Sequence, residues 1–214
     1  MNRFGMMALL GAFWIMGCGE SSEKKLPILG QREAVSKQVN GETVVDTVYQ
    51  TVPPFSFINQ DSVEVTNKDF DQSIYVTDFF FTSCPSICPI MSKNLLKVWN
   101  KYKGNEEVKI LSHSIDPKYD TPWVLKRYAN KLGVTGNQWQ FVHGSQEAIY
   151  SLADKYMVYV KEDQNAPGGF EHQGWIMLVD KDKRIRGAYD GTNDEQVAQL
   201  MKDMDLLLRE YHHE

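Results

Sequence analysis

The chain of 214 residues carries 28 acidic and 23 basic side chains, a formal net charge of −5, with 42% apolar residues and three cysteines. An acidic balance without a basic patch excludes a nucleic-acid-binding protein. The length suits one domain with its own core, and a domain of that size needs no disulfide staple to fold.

Residues 1–17 hold one charge, Arg3, ahead of an unbroken apolar and glycine run. That run is too short for a membrane-spanning helix, which takes about 20 apolar residues, and it suits the h-region of an export signal. It ends in Ile15-Met16-Gly17-Cys18, which resembles a bacterial lipobox and implies that Cys18 is lipidated, becomes the new N-terminus and anchors the chain. The alternative is an ordinary signal sequence in which the cysteine is incidental. Loss of residues 1–17 removes only the charge of Arg3, so the mature chain stands at −6. Residues 18–42, opening on the polar stretch "GESSEKK", are expected to form the lipid anchor and a flexible tether, leaving residues 43–214 as the folded domain.

Along the domain, "TVPPFSFINQDSVEVTNKDF" alternates apolar and polar residues around Asn59 and Ser62, which predicts a hairpin. "SIYVTDFFFT" predicts a buried strand. A helix then opens at Pro89 and carries Met91, Leu95, Val98, Trp99 and Tyr102 at spacings of three and four. "VKILSHSID" is the next strand. "DTPWVLKRYANKLG" follows as a helix capped by Asp120 or Thr121, with Pro122 in its first turn and Gly133 as its stop. After a short strand at "WQFVHG", the segment "SQEAIYSLADKYM" puts Ala148, Ile149, Leu152, Ala153 and Tyr156 on one helical face. A short strand near "MVYVKE" leads into the glycine-rich loop "DQNAPGGFEHQG". "WIMLVD" and "RIRGAYDG" then pair across "KDK", and a last helix starts at Thr192, with Glu195 completing a capping box. Strands alternating with helices define an α/β sandwich about one mixed sheet.

Cys84 and Cys88 stand out, each followed by proline, in the turn between the buried strand and its helix. With Pro89 in the first turn, Cys88 falls at the helix N-cap, where free N–H groups and the helix dipole favour thiolate over thiol. Three readings are open. A structural disulfide would close so small a loop that it adds little stability. A thiol–disulfide couple is a second reading, although the better-known redox motif has two intervening residues rather than three. Metal binding is the third, and it needs a further ligand.

Five histidines could supply that ligand. His113 lies in a strand and reads as a core residue, His143 ends a strand without an evident partner, and His212 and His213 fall in a solvated tail. His172 sits in the glycine-rich loop just ahead of a strand, where an imidazole can be aimed freely. Two thiolates and an imidazole suit copper, especially Cu(I), and with a water they could also hold zinc.

These residues resemble the Sco/SenC family of copper-binding, thioredoxin-like proteins that help assemble the binuclear copper centre of cytochrome c oxidase. "TSCPSICP" resembles the family's T-x-C-P-x-x-C-P, and "SIDPKYDTP", residues 114–122, resembles its S-x-D-P-x-x-D-T-P. "LGVTG" follows in place, and a late histidine precedes an apolar strand ending in Asp; the likeness covers roughly residues 45–190. It implies a thioredoxin-like fold with a central mixed sheet flanked by helices. It further implies copper, as Cu(I) or Cu(II), on Cys84, Cys88 and His172. The partner would be the copper-centre subunit of cytochrome c oxidase, met in the bacterial cell envelope by a domain held outside the cytoplasm. Relatives commonly carry Asp-His followed by a small hydroxyl residue, whereas Glu171 and Gln173 flank His172 here, so the hydrogen bonds that orient the ring are expected to differ. The "SIDPKYDTP" segment reads as scaffold rather than ligand. A rival from another class is a thiol–disulfide oxidoreductase or thiol peroxidase in which Cys84 attacks and Cys88 resolves. A copper or redox sensor would use the same residues.

Overall fold

The computed structural model describes residues 25–212, so the segment read as an export signal, the cysteine expected to be lipidated, Cys18, and His213 lie outside the described residues. In chain order the elements are β1 (Arg32–Val39), β2 (Glu42–Tyr49), β3 (Ser56–Asn59), β4 (Glu64–Thr66), β5 (Ile74–Phe80), α1 (Cys88–Tyr102), β6 (Val108–Ser114), α2 (Pro122–Leu132), β7 (Trp139–His143), α3 (Gln146–Lys155), β8 (Val160–Glu162), β9 (Phe170–His172), β10 (Trp175–Val179), β11 (Ile185–Asp190) and α4 (Asp194–His212). No helix among the described residues is long and apolar enough to cross a membrane.

Seven strands form the main sheet in the order β11-β10-β5-β6-β7-β3-β4. β5, β6 and β7 run parallel, joined by α1 and α2 as crossovers, while β10 enters antiparallel beside β5, pairing Met177 with Thr77 and Val179 with Tyr75. Covered on both faces, β5 buries every one of its residues, and this accounts for its unbroken apolar and aromatic run. On one face Phe80 meets Tyr128 of α2, and the Tyr102 hydroxyl of α1 donates to the Met201 carbonyl of α4. On the other, Phe79 and the Tyr75 hydroxyl meet Tyr156, just past α3. The mixed sheet flanked by helices is the thioredoxin-like α/β arrangement.

Local chemistry sets several ends. Pro122 opens α2, and Gly133, at φ 75°, closes it in the left-handed conformation. The Asn59 carboxamide accepts from the N–H groups of Asp61 and Val63 to shape the β3–β4 turn. α4 differs from expectation. Its cap is Asn193, whose side chain accepts from the N–H groups of Glu195 and Gln196, because Thr192 is held by the Asp190 carboxylate instead.

The tether expected through residue 42 is a further difference. Leu26 is buried, Leu29 bridges to Ile185 of β11, and residues 32–49 form an exposed hairpin, β1 with β2. The turn is Asn40-Gly41, both at positive φ, which matches the twist of a two-residue hairpin loop. That dipeptide was the overlooked signal.

Candidate metal centre

The end of β5 and the start of α1 place the two cysteines. Cys84 lies in the connecting loop, its N–H donating to the Phe81 carbonyl, and Cys88 is the first residue of α1 rather than its cap, a position that falls to Ile87. Pro89 comes next, and the first turn of α1 carries no acidic side chain. Cys84 is 7% exposed and Cys88 1%. Neither is in a disulfide in this structure.

His172 arrives from 84 residues further along the chain at the end of β9, whose partner β8 pairs Val160 with His172. The hairpin packs on Phe81, whose ring lies 5.0 Å from Phe170 and, edge-on, 5.7 Å from the His172 imidazole. Gly168, at φ 78°, permits this approach, because a Cβ there would stand 2.8 Å from the Phe81 ring and 3.1 Å from Pro85. Gln173 ties off the far side, exchanging hydrogen bonds with the Tyr159 main chain through its own N–H and its side-chain carbonyl. Gln173, one of the two flanking residues expected to change how the ring is oriented, thus helps fix the strand that carries His172. Glu171 sits opposite Lys161.

Nε2 of His172 lies 3.5 Å from Cys88 Sγ and 4.0 Å from Cys84 Sγ, and the three ligand atoms lie within 4.8 Å of one another. An ion about 2.3 Å from each sulfur and about 2.0 Å from the nitrogen, in one plane, wants separations of roughly 4 Å. The donor set and its spacing therefore fit a soft, three-coordinate ion. Nδ1, the outer ring nitrogen, is buried without a hydrogen-bond partner.

The two thiols are driven apart. The Cys88 thiol, hydrogen-bonded to the Cys84 sulfur, lowers the pKa of Cys84, and His172 and the main chain at Ser86 and Cys88 act in the same sense against the cost of burial. The same contact raises the Cys88 pKa, reinforced by burial and by the nearby Asp78 carboxylate. Cys84 is thus the standing thiolate and Cys88 the proton holder until a cation or a disulfide partner arrives.

Two carboxylates support the site. Asp78 of β5 is buried, and burial pushes its pKa up to about 7. Its Oδ1 accepts from the Ser112 hydroxyl, which accepts in turn from the Trp139 indole N–H. Sequence reasoning passed over Asp78, although a lone acid inside an apolar strand is a visible anomaly. Asp120, expected among the caps of α2, does not cap it. Its carboxylate accepts from the Thr82 N–H at 3.0 Å, from the Thr82 hydroxyl and from the Ser114 hydroxyl at 2.6 Å, so the "SIDPKYDTP" segment is bolted directly to the "TSCPSICP" loop.

Among the described residues no other His, Cys, Asp or Glu group has the geometry of a metal site. His113 is a core residue, its Nδ1 bonded to the Thr77 hydroxyl and its ring stacked 4.8 Å from Phe79; burial pulls its pKa down to about 3. His143 closes β7 opposite Ile58. His212, expected in a solvated tail, is in α4 and pairs with Glu107 at 2.8 Å.

Fold and site together define a thioredoxin-like α/β protein with a Cys₂His cluster beyond the C-terminal end of β5. The SCO1/SenC family profile matches residues 45–207, and the chain belongs to that family. Similar solved structures include a SCO1/SenC family lipoprotein from Bacillus anthracis, with TM-score 0.68 and 28% identity, covering 74% of this chain and 95% of that one. BsSco, described as a member of the Sco family of cytochrome c oxidase assembly proteins with a disulfide switch, matches with TM-score 0.62 and 30% identity over 72% of this chain and 92% of its own. Copper-bound ScoI of Arabidopsis thaliana matches with TM-score 0.61 and 26% identity over 72% and 98%.

Proposed function

We propose that this protein is a copper-binding metallochaperone of the bacterial cell envelope, anchored through lipidated Cys18, that serves the binuclear copper centre of cytochrome c oxidase. Copper is its cargo, held by Cys84, Cys88 and His172. The observation that carries this reading is the triangle of two sulfurs and Nε2 within 4.8 Å, since a dithiol couple needs no imidazole aimed between its sulfurs. Transfer proceeds by ligand exchange. Incoming thiolates of the target replace Cys84 and Cys88 one at a time, so the ion is never released free. Copper-bound and oxidase-assembly relatives support the assignment, and a lipoprotein relative supports the anchor.

A second reading draws on the depressed pKa of Cys84. The Cys84 thiolate attacks a target disulfide and displaces one target thiol; Cys88 then attacks the mixed disulfide, freeing the second target thiol and leaving a Cys84–Cys88 disulfide. Such a step would keep the oxidase cysteines reduced before loading.

Metal analysis with thiol counting on the reduced chain separates the two. The parent should bind one copper, Cys84→Ser and Cys88→Ser should lose tight binding, and His172→Ala should lose copper retention while its thiols still oxidise and reduce. Copper retention and oxidase assembly at parental level in His172→Ala would turn the assignment to the oxidoreductase. Cys18→Ser should release the chain from membranes with copper binding intact.

A further inference from the structure

The first described residues are fastened to the end of the molecule opposite the metal centre. The Leu26 N–H donates to Glu210 Oε1 at 2.7 Å, and the Leu29 N–H donates to the Ile185 carbonyl at 2.8 Å. Arg186, 6% exposed, donates through Nη2 to the Leu26 carbonyl at 2.7 Å and through Nε to the Pro27 carbonyl at 3.1 Å. Its remaining contacts are to the carboxylates of Asp180 at 3.2 Å and Glu210 at 2.7 Å. A buried guanidinium flanked by two carboxylates thus directs two donors at the main chain of residues 26 and 27. This costs desolvation and does nothing for the metal site.

The clamp's position follows from the sheet. β10 starts at Trp175, three residues after His172, and runs to Val179 opposite Tyr75, near the start of β5; Asp180 comes next, and Arg186 falls beside it on β11. The cysteines follow the opposite end of β5. At about 3.4 Å per residue, the strand separates clamp from metal centre by on the order of 20 Å.

Cys18 precedes this clamp by very little chain. Only residues 19–24 stand between it and Lys25, and a chain of seven links spans about 15 Å root-mean-square, short of the roughly 20 Å to the metal centre, reaching about 24 Å only at full extension. We propose that the Arg186 clamp is the fixed end of the lipid leash, so that the pole holding Asp180, Arg186 and Glu210 faces the bilayer and the Cys84–Cys88–His172 pole is presented away from it. The inference rests on the reading that Cys18 is lipidated. The partner surface at the clamped pole is a lipid headgroup layer, and the metal centre is displayed at the height of a membrane protein's extramembrane domain. Were the Arg186 and Glu210 contacts absent, the Leu29 bridge to Ile185 would be the next tie, the free chain would extend to Ile28, about 34 Å from Cys18 at full reach, and the preference for the clamped pole would weaken.

Energy transfer to an acceptor lipid tests this. The reduced, metal-free chain from residue 18 is joined through its N-terminus to a synthetic lipid in vesicles. A fluorophore is placed either at the exposed Asp182, beside the clamp, or at the exposed Trp123, at the metal-centre pole. Transfer should be at least twofold stronger from position 182. Twelve flexible residues inserted between Lys24 and Lys25 leave the fold untouched and should bring the two positions together, as should Arg186→Met with Glu210→Leu. Equal transfer in the parent, or a ratio unaltered by the longer leash, would overturn the proposal. Membrane fractionation of the full chain, beside Cys18→Ser, tests the premise separately. A processed but soluble parent would remove the lipidation reading and this inference with it, whatever the vesicles give.

Discussion

Asp120→Ala should destabilise the reduced domain and loosen the metal site together, because one carboxylate joins the two sequence motifs. The substitution leaves the Thr82 N–H, which donates at 3.0 Å, and the Ser114 hydroxyl, which donates at 2.6 Å, without their acceptor, while the Thr82 hydroxyl can turn to water. Each buried donor left unpaired costs about 1–3 kcal/mol. Burial raises the Asp120 pKa, so removing the charge returns part of that cost. A net loss of about 3 kcal/mol follows, which for a domain of this size lowers Tm by roughly 6–12 °C. Thr82 is two residues from Cys84, so part of the loss is ordering that the loop must recover when it binds. If that share is about 1–2 kcal/mol, copper retention against a competing chelator weakens roughly 5- to 30-fold. Asp120→Asn, which keeps one acceptor oxygen, should lose less than half as much on both measures. Denaturant curves on the metal-free chain and chelator competition on the loaded one give the two numbers. Stability within about 0.5 kcal/mol of the parent, with parental copper retention, would refute the bolt between the motifs.

Asp78 carries a pH signature. Its folded pKa of about 7 stands above the unfolded carboxylate value of 3.8, so the native state holds the extra proton and stability from this group falls as pH rises between those values. Between pH 5 and 8 the metal-free parent should lose about 3 kcal/mol that Asp78→Asn does not lose, and equal pH slopes in denaturant melts would rule this out. Gly168→Ala forces a Cβ to 2.8 Å from the Phe81 ring at a φ of 78°, so it should shift the β8–β9 hairpin and weaken copper retention with far-ultraviolet circular dichroism unchanged. Retention equal to the parent's would mean that the hairpin's seat on Phe81 does not position His172. In the reduced metal-free chain, alkylation at pH 6 should reach Cys84 before Cys88, since Cys84 is the thiolate and the more exposed of the two; mass mapping of the first adduct on Cys88 would reverse the assignment.

Periodicity alone determined the buried β5, the helix that carries Cys88, the ends of α2 and both antiparallel hairpins of the main sheet, because each depends on local alternation, proline, glycine and caps. The cysteine spacing and the two motifs were equally legible as a likeness. Tertiary structure decided what lies next to what. His172, 84 residues from Cys88, meets the two cysteines because β10 enters antiparallel beside β5, a pairing that no local pattern encodes. Asp120 looked like a cap because aspartate before a helix commonly is one; in the fold its carboxylate finds three donors across the loop, and the cap position falls to Thr121, whose side chain makes no capping bond. Residues 26–29 looked like tether for want of periodicity, yet a buried arginine holds the carbonyls of Leu26 and Pro27 while Glu210 and Ile185 hold the N–H groups of Leu26 and Leu29, since main-chain groups are recognised by geometry and not by composition.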